Sequence, residues 1–301
     1  MIQNVLFACD FSSSSNRAMG YALDLAQRCD ATLHFLHIHE VSLGPFVKGD
    51  PAPQIDDPQL PRRFEERCRE ELATCSSTPD DDHLRFLARR SSAAAPVIVE
   101  AAKKRDIDLI VMGTHGRRGV QRAVFGSTAE EVLRTAPCPV LTARGTDDEP
   151  ASPQDADSIQ RLVVPIDFSD ASRAALRYAA RLASAYSAPM TLVHAVQLPR
   201  LPAAYGIDVA ETNLEEVQAR SRSTLEEWGG EVDVAADKLS TVVTTGDPAS
   251  TILETASTPE ALLVMATQGL SGLKRAVLGS VAESVLRRAV GPVLAGRSFP
   301  E

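Results

Sequence analysis

Short apolar runs alternate along the chain with segments in which apolar residues recur at helical spacing. The run Leu109-Ile110-Val111-Met112 is nearly continuous, which is typical of a strand covered on both faces in a parallel sheet built from βαβ units. In the first part of the chain this alternation predicts strands at 5–9, 32–39, 84–89, 109–113 and 139–143. It predicts helices at 14–29, 62–74, 94–105 and 127–136.

The whole pattern occurs twice. The segment from Asn4 to Ser12 reappears, 157 positions later, from Arg161 to Ser169, and the Gly116 region reappears at Gly269. A repeat of this length exceeds the roughly 20 to 50 residues of a solenoid unit and indicates a duplicated domain. The sequence therefore predicts an α/β protein with two doubly wound, five-stranded parallel-sheet domains of Rossmann-like type. In the second copy, strands are predicted at 162–166, 190–196, 240–245, 262–266 and 292–295.

The two copies are separated by an acidic segment. Residues 146–157 carry five acidic and no basic side chains and lack apolar periodicity, so they are interpreted as a linker. The predicted domains are 1–145 and 158–301. The last predicted strand of each copy begins at Pro139 or Pro292 and is expected at a sheet edge, where unpaired backbone groups favour strand pairing. Since tethering raises effective concentration, we predict an intrachain pseudo-dimer; any further homodimer is expected to use another surface.

Composition narrows the possible partners and compartment. The 301 residues carry a net charge of −9, which disfavours a nucleic-acid partner because such binding depends on clustered Lys and Arg. The five cysteines form no C-x-x-C pair and are expected to be free thiols. No apolar run approaches the 18 residues of a membrane span, and Asp10 interrupts the first apolar run too early for a signal peptide. The chain is therefore predicted to be cytoplasmic.

The most unusual loops follow the first and fourth strands. The first strand ends at Asp10, and the fourth ends at Gly113, followed by a glycine-rich loop that reaches Gly126-Ser127-Thr128 at a helix start. Ligands of doubly wound sheets bind beyond such strand ends, where strand order reverses. Glycine permits close approach of a ligand to the main chain, and a helix N-terminus favours phosphate. The loop is thus interpreted as a phosphate cradle that is neither a P-loop nor G-x-G-x-x-G. The alternative is that its glycines only form turns and a cap.

The spacing G-x2-G-x9-G-[S/T] resembles that of the universal stress proteins, and the duplication resembles their tandem type. In nucleotide-binding members of that family, the Asp that ends the first strand contacts adenosine. A residue after the His of the second strand lines the adenine pocket, and the glycine loop surrounds the phosphates. The resemblance implies these binding residues in the first copy: Ala8, Asp10, Ile38, Met112, Gly113, His115, Gly116, Gly126, Ser127 and Thr128. Ala8 stands where the family usually has Pro.

The second copy departs from this pattern at several positions. It has Ala266 for the first glycine, Gln268 for the loop histidine, and Leu270-Ser271 for Arg117-Arg118. If that glycine required a positive φ, Ala would cost about 1 to 3 kcal/mol, so we predict weaker or absent binding in this copy. The resemblance carries over these binding residues: Pro165, Asp167, Gly269, Gly279, Ser280 and Val281.

The sequence leads to one preferred function and two alternatives. The resemblance implies an ATP-binding regulatory protein of the stress response, with Mg²⁺ held only through the phosphates. No catalytic residue is assigned, because the motif supplies a cradle but no base apart from Asp10, and at most weak ATPase activity is expected. The alternatives are a module that binds a lipid or protein partner, and an adenylyl-transferring or ATP-hydrolysing enzyme. His37 and His39 share a strand face, but packing is favoured over a metal site because only one histidine recurs, as His194.

Overall fold

The structure is a computed structural model that divides into two compact units, Met1–Asp157 and Ser158–Glu301, here called the first and second domains. It describes residues 2–41, 58–75, 78–114, 125–144, 159–197, 214–269 and 278–300. The predicted linker, His115 and Gly116 lie outside the described residues. The predicted domain boundaries remain a prediction.

The first domain alternates strands and helices as its sequence predicts. Its strands run in parallel in the order β3-β2-β1-β4-β5, so strand order reverses between β1 and β4. This is a five-stranded doubly wound α/β domain. Its elements are β1 (Asn4–Cys9), α1 (Ser13–Cys29), β2 (Thr32–Glu40), α2 (Leu60–Leu72), β3 (Leu84–Ser91), α3 (Ala94–Lys104), β4 (Leu109–Gly113), α4 (Ser127–Thr135) and β5 (Val140–Ala143).

The second domain repeats this architecture. Its strand order is β8-β7-β6-β9-β10, and strand order reverses between β6 and β9. The two-fold repetition predicted from the sequence is therefore confirmed at the level of the fold. Its elements are β6 (Arg161–Pro165), α5 (Asp170–Tyr186), β7 (Met190–Val196), α6 (Leu214–Gly230), β8 (Leu239–Thr245), α7 (Pro248–Thr255), β9 (Ala261–Ala266), α8 (Ser280–Arg288) and β10 (Val293–Gly296).

The first helix of each domain begins and ends in the same way. Ser12 caps α1 by accepting a hydrogen bond from Ser15 N, and Ser169 caps α5 by accepting one from Ser172 N. Each cap satisfies a backbone donor that has no partner within the helix. Both helices end at a residue with left-handed backbone, Asp30 and Ser187 respectively. The fixed starts of α1 and α5 determine the path of the chain directly after β1 and β6.

Apolar side chains fill both faces of the central strands. In the first domain the Phe7 ring meets Phe35 edge-on, with 5.6 Å between ring centroids, and Phe35 stacks on Phe86 at 5.1 Å. Phe7 and Phe35 are fully buried, and such burial stabilises the fold by about 1.5–3 kcal/mol for each side chain. Among the described residues, no helix is both long and apolar enough to span a membrane.

Candidate functional site

The reversal of strand order brings the two unusual loops of each domain together. β1 and β4 are parallel neighbours, with Ala8 opposite Met112. Asp10, just after β1, and Gly113, the last residue of β4, therefore lie at the carboxyl ends of adjacent strands. β6 and β9 have the same relation. The gap between two such strands is where doubly wound sheets bind ligands. The structure therefore places the predicted Asp and the start of the glycine loop side by side in both domains.

Each of these aspartates is held by the serine two positions after it. Asp10 Oδ1 accepts hydrogen bonds from Ser12 N at 3.0 Å and from Ser12 Oγ at 2.6 Å. Asp167 Oδ1 accepts equivalent bonds from Ser169 N at 3.0 Å and from Ser169 Oγ at 2.5 Å. Since the same serines cap α1 and α5, the carboxylates are fixed relative to the helix starts. This is the orientation by neighbouring groups that a binding site needs.

In the second domain the structure shows a cavity at this position, of about 570 Å³. That volume lies within the range of about 300–1,000 Å³ that is usual for small-molecule sites. The cavity is lined by all six predicted residues of the second copy, namely Pro165, Asp167, Gly269, Gly279, Ser280 and Val281. Apolar walls come from Val193, Ile252 and Met265, and the smaller Ala195 occupies the position of Ile38. Among the residues that the structure describes, the cavity lining includes one carboxylate, Asp167, and no Lys or Arg.

One end of this cavity is suited to an anion. The first residues of α8 line it, and the N-cap Gly279 offers no side-chain acceptor to the first N–H groups of that helix. Thr267, only 2% exposed, lines the same wall, and its Oγ1 has no hydrogen-bond partner among the described residues. Gln268 Nε2 is likewise buried and unpartnered there. The sequence pattern did not indicate a role for Thr267, although Thr114 occupies the equivalent position of the first copy.

The glycine loop is closed at its base in both domains. Gly126 N donates a hydrogen bond to Thr114 O at 2.8 Å, and Gly279 N donates to Thr267 O at 2.9 Å. Each bond joins the residue after a strand to the N-cap of the following helix. The strand end and the helix start are thus held together independently of the residues between them.

Gly113 also has a packing role, which the sequence pattern did not indicate. A methyl group on Gly113 would lie 2.8 Å from Ser14 C and from Ser15 N, and 2.5 Å from Ser14 Oγ. Glycine is therefore required for the end of β4 to pack against the start of α1. Neither Gly113 nor Ala266 has a positive φ, so the backbone strain considered for Ala266 does not arise.

Other predicted residues of the first domain are placed around the same edge. Ala8 and Ile38 are partly buried near the ends of β1 and β2, and Met112 is buried in β4. Ser127 is exposed and Thr128 is partly buried in the first turn of α4. In the described part of the first domain, the residues expected to bind the ligand thus lie around the carboxyl ends of the strands and the start of α4.

The histidines on β2 and β7 have structural contacts that support the packing interpretation. His37 Nδ1 donates to Cys9 O at 2.8 Å, and the His37 ring stacks on Phe64. His194 Nδ1 makes the same bond to Ile166 O at 2.7 Å. Within the described ranges no group of three or more His, Cys, Asp or Glu residues is arranged to hold a metal ion.

The buried thiols of the first domain are poor nucleophiles. A hydrogen bond with the Cys9 thiol, together with burial, raises the pKa of Cys68 far above its ordinary value. Burial raises the pKa of Cys138 to about 12. Because the thiolate is the reactive form, Cys68 and Cys138 remain protonated and unreactive near neutral pH.

Comparison with known proteins agrees with this architecture. A universal stress protein of Methanocaldococcus jannaschii is 34% identical over 147 residues, which are 48% of this chain and 83% of that protein. One of Mycobacterium tuberculosis is 30% identical over 210 residues, 68% of this chain and 66% of that protein. The crystal structure of a universal stress protein from Archaeoglobus fulgidus superposes with a TM-score of 0.63 at 19% identity, covering 98% of each chain. The model of the universal stress protein family matches residues 1–144 and again 158–297. The chain belongs to the universal stress protein family, as a tandem member with two such domains.

Proposed function

We propose that this chain is an ATP-binding protein that acts as a nucleotide-responsive regulator in the stress response. The observation that supports this most is the second-domain cavity, which is lined by one carboxylate, Asp167, and by the start of α8. A nucleotide likewise has two chemically different parts: a ribose, whose hydroxyls donate hydrogen bonds, and phosphates, which accept them. Asp167 therefore suits the ribose, and the α8 start with Thr267 suits the phosphates.

The first domain offers the same arrangement with more positive charge in its loop. Asp10 occupies the position of Asp167, and Gly126 with Ser127 starts α4 as Gly279 with Ser280 starts α8. The loop sequence of the first domain adds Arg117 and Arg118, where the second has Leu270 and Ser271. We therefore propose tighter ATP binding in the first domain than in the second, with Mg²⁺ carried by the phosphates and not by protein ligands.

Calorimetric titration of the full chain with ATP, GTP and adenosine tests this proposal. We expect two unequal ATP sites, loss of the tighter one in Asp10→Asn, and loss of the weaker one in Asp167→Asn. The matched control is Asp170→Asn, an exposed carboxylate in the first turn of α5 outside the cavity, which should leave both affinities unchanged. Absence of nucleotide binding, or equal binding in the double Asp10→Asn/Asp167→Asn variant, would contradict the proposal and favour a lipid or protein ligand.

A further inference from the structure

The residue directly after each site aspartate has an unusual backbone conformation. Phe11 has φ 60° and Phe168 has φ 63°. A bulky residue rarely occupies this left-handed region, and it stays there only where the surroundings hold it. The other non-glycine residues with positive φ in the described ranges are small or polar: Asp30, Asp106 and Ser187. A conformation that costs energy and occurs at the same place in both domains requires a compensating contact.

Packing of the aromatic ring supplies that contact in the second domain. The Phe168 ring lies 4.5 Å from the His194 ring and 5.6 Å from the Trp228 ring, meeting Trp228 edge-on. His194 is itself fixed by its hydrogen bond to Ile166 O, two residues before Phe168. Arg173 lies over the Trp228 ring, with its guanidinium carbon 4.9 Å from the ring centroid, and it forms an ion pair with Glu231. Phe168 is thus clamped between β7 and α6.

The first domain achieves the same clamp with different residues. The Phe11 ring lies 5.5 Å from His37 and 6.0 Å from Phe64, and the Arg67 guanidinium carbon lies 3.8 Å from its centroid. Phe64 is in the early part of α2, whereas Trp228 is near the end of α6. Because the aromatic partners come from different positions of their helices, the clamp does not follow simply from sequence duplication.

We propose that Phe168, and equally Phe11, is a positioning residue for the ligand: its clamped left-handed backbone fixes the preceding aspartate toward the site. This inference rests on the proposed nucleotide function. The turn at Phe168 lets Ser169 N and Oγ bond Asp167 Oδ1, while the Asp167 carboxylate lines the cavity. Phe168 and Trp228 are not among the lining residues, so they act on the ligand through the lining residues next to Phe168, namely Asp167 and His194.

The clamp also links the ligand to α6. A ligand that holds Asp167 favours the clamped conformation of Phe168, and that conformation favours docking of Trp228. Thermodynamic linkage requires the converse, so that docking of α6 increases ligand affinity. Amide hydrogen exchange around Trp228 should therefore slow when ATP binds, although no residue of α6 is among those that line the cavity.

Calorimetry with ATP on the full chain, in an Asp10→Asn background that silences the first site, tests the positioning role. Phe168→Gly removes the ring and accepts the left-handed backbone. We expect its dissociation constant to rise about three- to tenfold, since an ordered polar group becomes mobile. Trp228→Ala should weaken binding in the same direction, but not further when Phe168 is already Gly. Phe168→Tyr, which keeps the ring, should restore the background affinity.

Leu182→Ala is the matched structural control. Leu182 is buried on α5, not on α6, and is not among the cavity-lining residues, so this variant should lower the melting temperature and leave the dissociation constant of the folded protein unchanged. Unchanged affinity in Phe168→Gly, or an additive effect of Trp228→Ala, overturns the positioning role while nucleotide binding stands. A wild-type chain that binds no ATP overturns the proposed function and this inference together.

Discussion

In the first domain, Cys9 at the end of β1 is hydrogen-bonded to Cys68 of α2, whereas the second domain has Ile166 at the equivalent position and contains no cysteine. The backbone contacts around these residues are nevertheless the same. The carbonyls of Cys9 and Ile166 each accept a hydrogen bond from a histidine, and a serine holds the following aspartate. Buried side chains have thus changed while the polar contacts that orient the aspartate have not. Those contacts form the shared part of the site, and the walls and the loop are where the domains differ.

The largest expected difference concerns the end of β4. Gly113→Ala should destabilise the first domain by about 2–3 kcal/mol, because the added methyl group overlaps the backbone of Ser14 and Ser15. The second domain has Ala266 and Ala171 at the positions equivalent to Gly113 and Ser14, so Gly113→Ala combined with Ser14→Ala should recover part of the loss. Reaction of the buried cysteines with a thiol reagent in urea measures unfolding of the first domain, since every cysteine lies there. Fluorescence of Trp228, the only tryptophan, should show no change in the second domain.

Acid should affect the two domains differently at one matched position. Burial, together with Arg105 and Arg85, lowers the pKa of His34 from 6.5 to about 4, and Thr191 stands at the equivalent position of β7. Below pH 6.5 the His34 side chain is protonated in the unfolded chain but stays neutral in the folded domain. The free energy of unfolding therefore falls as pH decreases from about 6.5 to 4. Allowing for solvent screening of the partly buried ring, the loss of stability is about 1–2 kcal/mol.

His34→Thr, which introduces the second-domain residue, should remove this part of the pH dependence. Urea midpoints at pH 7.5 and 5.0, followed by thiol reactivity, provide the measurement. An identical pH dependence in His34→Thr and wild type would show that His34 is protonated equally well in the folded domain.

Loop charge should account for part of the proposed difference in ATP affinity. Converting Leu270 and Ser271 to the Arg residues of the first loop should tighten ATP binding in the second domain about two- to tenfold at low salt. The gain should shrink in 0.5 M salt, because exposed charges are screened. The double Leu270→Lys/Ser271→Gln variant is a milder control with one added charge. If these variants do not change the ATP affinity of the second domain, the difference in affinity between the sites arises from the residues that line them instead.

The smallest expected difference in stability lies at the helix after the third strand of each domain. Asp247 caps α7 by accepting a hydrogen bond from Ser250 N at 2.9 Å, whereas the N-cap of α3 is Ala93, which has no side-chain cap. Asp247→Ala should destabilise the second domain by about 0.5–2 kcal/mol, and Ala93→Asp should stabilise the first by about 0.5–1 kcal/mol. Paired melting curves check both, and equal shifts in Asp247→Ala and Asp247→Ser would rule out the cap as the cause.

Much of this organisation could be predicted from the sequence, because the apolar runs and the duplication are local signals. The positions of Asp10 and Asp167 at strand ends followed from the same pattern. The contributions of Thr267 and Ile252 to the cavity could not be predicted in that way, because they depend on how α7, α8 and β9 pack in three dimensions. Nor does the sequence show that Phe168 has a left-handed backbone, since that conformation depends on Trp228, sixty positions away.

The hydrogen bond that closes the glycine loop has a consequence for the evolution of these domains. Gly126 N is joined to Thr114 O, and Gly279 N to Thr267 O, although the sequences between these residues differ in the two domains. For a flexible segment with fixed ends, doubling its length costs only about 0.6 kcal/mol of closure entropy. The fold should therefore tolerate insertions, deletions and substitutions in these segments. Each domain thus carries its loop between two backbone groups that are joined in the same way, so the two loops of a duplicated chain can diverge in sequence independently.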